Sequence, residues 1–199
     1  TERLLPLVDA VLKERSVTVA DCAAVAFGAG PGAFTGIRTA CAAAQGLAWA
    51  VDRPVICVPT LTAAAVLFFR EQPDVRRVLI ALDARMHECY VQAFEAGHPD
   101  APAALSEPAA VKPSEIGNLV CEFNCGAAAG SAFAVYPEAT ESAGCPVFAG
   151  LEVRSSGVAL LARTMFMKGE VVTASLASPI YVRNRVALTI KERQAGEKL

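Results

Sequence analysis

Gly28-Ala-Gly-Pro-Gly-Ala-Phe-Thr-Gly-Ile-Arg38 separates a hydrophobic run from an Ala-rich stretch of helical character. Ahead of it, Val25-Ala-Phe27 reads as the end of a buried strand. Behind it, Thr35 is placed to cap a helix, its hydroxyl oxygen accepting from an orphan N–H of the first turn. Four glycines in nine residues let the backbone turn sharply and leave room for close approach. A strand, a glycine loop and a helix in that order serve one of two purposes. They hold a phosphate at the helix N-terminus, or they pack a helix tightly on a sheet.

Neither standard nucleotide motif is complete. A P-loop needs Lys and Ser/Thr directly after its last glycine. Here Ala33-Phe34 follows Gly32, and no Lys lies between Lys13 and Lys112. The dinucleotide fingerprint is met formally by Gly28, Gly30 and Ala33, but it also needs an acidic residue at the end of the next strand. Asp52 precedes that strand, Val55-Ile-Cys-Val58, instead of following it.

Outward from the loop, strand and helix patterns alternate, which predicts an α/β protein. Leu4, Leu5, Val8, Val11 and Leu12 recur at helical spacing in residues 1–14, with Pro6 marking a start or a kink. Strands are expected at 23–27 and 55–58, and helices at 35–50 and 61–70. Gln72-Pro-Asp74 breaks the pattern and divides the chain into a first α/β subdomain, 1–74, and a second with a C-terminal tail, 75–199. Residues 78–82 and 88–94 read as a hairpin, 97–108 as an irregular loop, 119–123 and 132–135 as short strands. Residues 151–168 read as the last long helix, stopped by Gly169.

Composition narrows the function. The 199 residues are 54% hydrophobic but only 7% aromatic, so the core must rest on small side chains and close helix packing. Charged residues or Pro interrupt every apolar run well short of the ~18 residues a membrane span requires, so no membrane role is expected. Seven scattered cysteines, an odd number, do not make a disulfide framework and suit a reducing cytoplasm. Cys121 and Cys125 lack a second Cys pair or a neighbouring His to complete a zinc site. The two histidines, His87 and His98, form no metal-binding spacing, so no metal site is expected. A net charge of −2 argues against strong autonomous RNA binding, although Arg183, Arg185, Lys191, Arg193 and Lys198 make the tail locally basic.

The helix after the loop is small or apolar on nearly every face from Ile37 to Val51, with Arg38 and Gln45 as exceptions. Such a helix is expected to be buried all round. It therefore either lies beneath another element or forms part of a subunit interface. Candidate interface residues are Leu4, Leu5, Val8, Val11 and Leu12 on the first helix, with Ile37, Arg38, Cys41, Ala43, Ala44 and Leu47 on this one.

Three islands give the pattern a family. Gly30-Pro-Gly-Ala-Phe-Thr-Gly-Ile-Arg38 is followed by Ala44-Gln-Gly-Leu-Ala48 and Val58-Pro-Thr-Leu61. Leu82-Asp-Ala-Arg-Met86 precedes Glu88 and Tyr90, and Pro179-Ile-Tyr-Val-Arg183 closes the set. In type and order these resemble the TsaB (YeaZ) family across nearly the whole chain. The resemblance implies an actin-like ATPase (ASKHA) fold of two α/β subdomains. It also implies a non-catalytic partner of TsaD that acts with the ATPase TsaE to place a threonylcarbamoyl group on the adenosine beside the anticodon of certain tRNAs. Pairing would run through helices of the first subdomain, homodimerisation through the same face would occur without the partner, and tRNA would be met only within the complex. No cofactor is then required by this chain, and any ATP or divalent metal belongs to partner subunits. Family members open with a β-hairpin before the first helix, whereas this chain begins at that helix, so an incomplete first subdomain is expected. The loop residues Gly30, Pro31, Gly32, Phe34, Thr35 and Gly36 remain open to either purpose, phosphate or packing. Asp83 with Arg85 reads as a nucleotide or metal–nucleotide contact, or as a turn former. Two other readings stand beside the scaffold: a nucleotide-dependent phosphotransferase of the actin-like superfamily, and a glycoprotease-like hydrolase.

Overall fold

In the computed structural model, which describes residues 3–98 and 100–182, strands and helices alternate around two sheets. Helix α1 covers Leu4–Glu14 and carries Pro6 in its first turn, where an absent N–H breaks no intrahelical bond. Strand β1 (Val25–Gly30) pairs in parallel with β2 (Val55–Pro59), Val25 opposite Val55 and Gly28 opposite Val58. Parallel pairing requires a crossover, and α2 (Phe34–Ala50) supplies it. Helix α3 (Thr60–Glu71) follows β2 directly.

The second sheet starts with an antiparallel hairpin of β3 (Arg77–Asp83) and β4 (Cys89–His98), in register from Arg77 opposite Glu95 to Asp83 opposite Cys89. Strands β5 (Ala101–Ala104) and β6 (Ala109–Val111) both pair with the far edge of β4. Helix α4 (Ile116–Glu122) leads to β7 (Ala127–Ala129), which lies parallel to β3. Helices α5 (Ala132–Val135) and α6 (Pro137–Ala143) precede β8 (Val147–Phe148), parallel to β7. The strand order is β5-β4-β3-β7-β8, with β6 beside β4.

Several expectations need correction. The strand expected at 119–123 is instead the end of α4, with Phe123 at its C-cap, because the buried pair Ile116 and Val120 at i, i+4 outweighs a short apolar run that periodicity alone cannot assign. Residues 132–135 form one helical turn, and the expected loop at 97–108 contains β5. The last long helix, α7 (Ser155–Met167), begins four residues later than its apolar pattern, since Leu151 is buried in extended chain ahead of it. Gly169 ends it with φ +75°, the left-handed conformation suited to glycine.

The helix buried on nearly every side is α3, through Leu61, Ala63, Ala64, Ala65, Val66, Phe68 and Phe69, where it meets strands of both sheets and α7. Helix α2 is not covered all round. It buries one stripe, Ile37, Cys41, Ala44 and Ala48, and leaves the rest partly or fully exposed among the described residues. Gln72-Pro-Asp74 falls in the turn from α3 to β3. Beyond α7 the chain returns to the first sheet: Val172 bridges to Val55, and the Ile180 N–H donates to the Ala29 carbonyl at 2.8 Å.

Candidate functional site

The glycine loop is in contact with protein. Gly30 has φ +119°, and a Cβ there would lie 2.6 Å from the Ile180 carbonyl oxygen. Its N–H donates to the Thr60 hydroxyl at 3.1 Å. The returning chain thus crosses the loop at the distance only glycine allows. Thr35 is not the cap. Helix α2 starts at Phe34 with Ala33 at the cap position and no side-chain hydrogen bond there, so Thr35 sits two residues past the cap.

Arg38 pairs with no carboxylate among the described residues. Its guanidinium carbon lies 3.7 Å above the Phe34 ring, and its Nε donates to the Tyr181 hydroxyl at 2.8 Å. Phe34, Ile37 and Tyr181, together with Asp83, Arg85, Ser131 and Val135, line a cleft of about 540 Å³.

Asp83 holds a turn. Its Oδ1 accepts the Arg85 backbone N–H at 2.8 Å and the Tyr136 hydroxyl at 2.8 Å, while Oδ2 pairs with Arg85 Nη1 at 3.1 Å. The Asp83 N–H donates to the Ser131 hydroxyl. These bonds brace three consecutive left-handed residues, Arg85, Met86 and His87, with φ of 61°, 55° and 58°. Such a run is costly and persists only when its surroundings over-determine it. His87 adds a 2.9 Å contact to Glu138 and an edge-on packing against Tyr136. Burial first, and then the bond to Asp83, push the Tyr136 phenol up to about 12. The carboxylate at the cleft is therefore satisfied by its own hairpin and by α6 and its approach. Sequence spacing pointed to Asp83 and Arg85, but Ser131 and Tyr136 sit 48 and 53 residues away and only the fold brings them there.

The first-subdomain helices present a different surface. None of the residues of α1 is buried. Leu4, Val8 and Leu12 line an apolar groove of about 460 Å³ together with Ala40, Ala43, Ala44 and Leu47 of α2 and Phe27 of β1. Leu5, Leu7 and Val11 face outward, 54%, 54% and 59% exposed. Ile37 and Cys41 belong to the core beneath α2, the latter's thiol approaching the Ala177 carbonyl. Cys121 and Cys125 flank the end of α4, and among the described residues no group of three His, Cys, Asp or Glu is placed to hold a metal ion.

The family model described as TsaD, tRNA N6-adenosine threonylcarbamoyltransferase, matches residues 1–159. A protein of Escherichia coli described as tRNA threonylcarbamoyladenosine biosynthesis protein TsaB is 31% identical over 190 residues, covering 94% of this chain and 82% of that protein. The chain belongs to the TsaB family. The TsaB of Haemophilus influenzae is 44% identical over 90 residues, 45% of this chain and 38% of that protein. A Pseudomonas aeruginosa crystal structure, described as an uncharacterized protein with similarity to peptidase YEAZ, superposes with TM-score 0.81 at 33% identity, over 92% of this chain and 84% of its own. A second structure, YeaZ from the same organism, gives 0.78 at 32% identity over 90% and 84%. The fold is accordingly the actin-like α/β type of the TsaB family. No helix among the described residues is long and apolar enough to cross a membrane.

Proposed function

We propose that this chain is a scaffold and activating subunit in the threonylcarbamoylation of the adenosine beside the tRNA anticodon. It pairs with a TsaD-like catalytic subunit and offers a surface to a TsaE-like ATPase. The names of its relatives support the pathway, since the E. coli and H. influenzae proteins are described as tRNA threonylcarbamoyladenosine biosynthesis proteins. The observation that carries the partner role is α1, an 11-residue helix with none of its residues buried and three large aliphatic side chains outward. A helix so exposed gains little from its own fold. Each such side chain buried in a complex stabilises it by roughly 1.5–3 kcal/mol.

The partner face is Leu5 and Val11 on α1, with the groove rim at Leu4, Val8, Leu12, Ala43 and Leu47. Small residues on α2 let a partner helix approach closely. Substrate chemistry, ATP and divalent metal enter through the partner subunits, tRNA is met through the complex, and the compartment is the cytoplasm. Without the partner a second copy of this chain covers the same face, because an exposed apolar patch favours burial. The packed glycine loop and the engaged Asp83 support this role over a nucleotide-dependent phosphotransferase.

Native mass spectrometry of the chain, alone and mixed with the TsaD-like subunit of the same organism, tests the proposal. A one-to-one heterodimer forming at the expense of free chain or homodimer is expected. Two proteins that stay apart at micromolar concentration would overturn it.

A further inference from the structure

Helix α2 has a second exposed flank, away from the groove that faces α1. Phe34, Arg38, Ala42, Gln45 and Trp49 recur at i, i+4, i+8, i+11 and i+15, and so share one face. The returning chain runs lengthwise beside that face. Val172, Thr173 and Ala174 line a pocket with Trp49, the Ala177 carbonyl accepts the Gln45 amide at 3.0 Å, and Tyr181 meets Phe34 and Arg38. The composite surface exposes Trp49 (73%) toward one end, Phe34 and Tyr181 at the other, and Leu176 (70%) on the returning chain. Ala42, and Gly46 one turn on, are small exposed residues between the two ends. From Arg38 to Trp49 the helix runs about 16 Å, three turns.

Trp, Tyr and Arg are the residues that dominate binding energy at protein interfaces. Arg38 is fixed before any partner arrives: Phe34 lies against its face, and Tyr181 accepts from its Nε. Its terminal nitrogens have no carboxylate among the described residues. Asp52 and Arg53, beyond the Trp49 end, carry opposite charges. Among the described residues the surface therefore presents an oriented cation without a carboxylate, at its Phe34–Tyr181 end.

We infer that this flank docks an amphipathic helix of a partner protein, one that seats apolar side chains on Trp49, Leu176 and Tyr181 and pairs a carboxylate with Arg38. A guanidinium held in place by stacking loses little freedom on forming a two-pronged bond to a carboxylate. Small residues at the centre admit a helix at the usual interaxial distance of about 8–10 Å. The flank is separate from the α1–α2 groove, so two partners can be held at once, one on each side of α2.

The test places p-benzoylphenylalanine at position 49 of the full chain in its native host and maps the crosslinked peptide by mass spectrometry. The expected capture is a helical segment with Asp or Glu within one turn of the crosslinked residue. Arg38→Glu should lower the yield at least tenfold, Arg38→Gln should lower it less, and replacing the captured acid by Lys should restore capture by the Arg38→Glu chain. Circular dichroism melts of both variants check folding. Crosslinks to RNA, to a second copy of this chain or to a segment without an acid would overturn the inference, as would no crosslink or a yield indifferent to Arg38→Glu. The same reagent at position 5 reads the groove in parallel. Capture at 5 with silence at 49 sinks this inference alone, and the reverse sinks the groove pairing alone.

Discussion

Gly30 is where a single methyl group has the largest structural consequence in the loop. Alanine there must keep φ +119° and bring its Cβ to 2.6 Å from the Ile180 carbonyl oxygen, which is backbone and cannot swing aside. Gly30→Ala should therefore destabilise the fold by about 1–3 kcal/mol, the range for strained backbone positions, seen as a lower denaturant midpoint. Protection of the Ile180 amide in hydrogen exchange should fall with it, because that amide donates to Ala29. Thr35 makes the opposite case. A genuine N-cap threonine replaced by alanine costs about 0.5–2 kcal/mol, but Thr35 lies inside α2 and has no capping bond. Thr35→Ala should leave the midpoint unchanged within about 0.5 kcal/mol. A cost above 1 kcal/mol would restore the hydroxyl to a structural role.

At the scale of elements, α1 and α3 are both apolar helices with opposite fates. Helix α3 meets strands of both sheets and α7, whereas α1 buries none of its residues. Leu5→Asp should thus leave the thermal midpoint within about 2 °C, since surface changes are usually within 0.5 kcal/mol. It should weaken pairing with the catalytic subunit at least tenfold in a titration monitored by light scattering. Loss of the folded monomer would mean that Leu5 belongs to a core. The same contrast shows what was legible beforehand. Periodicity located α1, α2, α3 and the β3–β4 hairpin, because each repeats its pattern over many residues. It failed at 119–123, where five residues offer too few turns to separate helix from strand. It also failed to rank α2 against α3, since which apolar helix is covered depends on where distant strands fall. Asp83 was readable at a strand end, but its partners Ser131 and Tyr136 arrive through pairing of β3 with β7 and the turn after it. Trp49 and Leu176 left no signal, as neither belongs to a motif and their joint exposure arises only when the chain folds back along α2.

At the scale of the whole molecule, two buried thiols and one half-buried phenol of the second sheet unit tie stability to alkaline pH. Burial pushes the Cys89 thiol up to about 12 and the Cys125 thiol up to about 11, and burial with the Asp83 bond raises the Tyr136 phenol to about 12. Their ordinary values are 9.0 for the thiols and 10.0 for the phenol. Above those values the unfolded chain releases protons that the folded chain keeps, so stability falls as pH rises. Each contribution is fully present below the unfolded value and gone above the folded one. The unfolding free energy from urea titrations should then be level in this respect up to about pH 8.5 and fall steadily from 9 to 12, by a few kcal/mol at most in all. The carboxylates act on the other side. Backbone and hydroxyl donation from Thr18 holds Asp21 below its usual range, and Arg77 with Arg76 holds Glu95 down. Their contributions are lost as pH drops through those lowered values, so both limbs descend from a neutral plateau. Cys89→Ala separates this linkage from general alkaline damage. It removes a thiol from the sheet interior and should lower the whole curve through the space it leaves, yet flatten the slope between pH 9 and 12. A variant that falls as steeply as the parent across that window would show that Cys89 does not titrate as a buried group, and the tight packing of β4 against the α4 side of the sheet would have to be reconsidered.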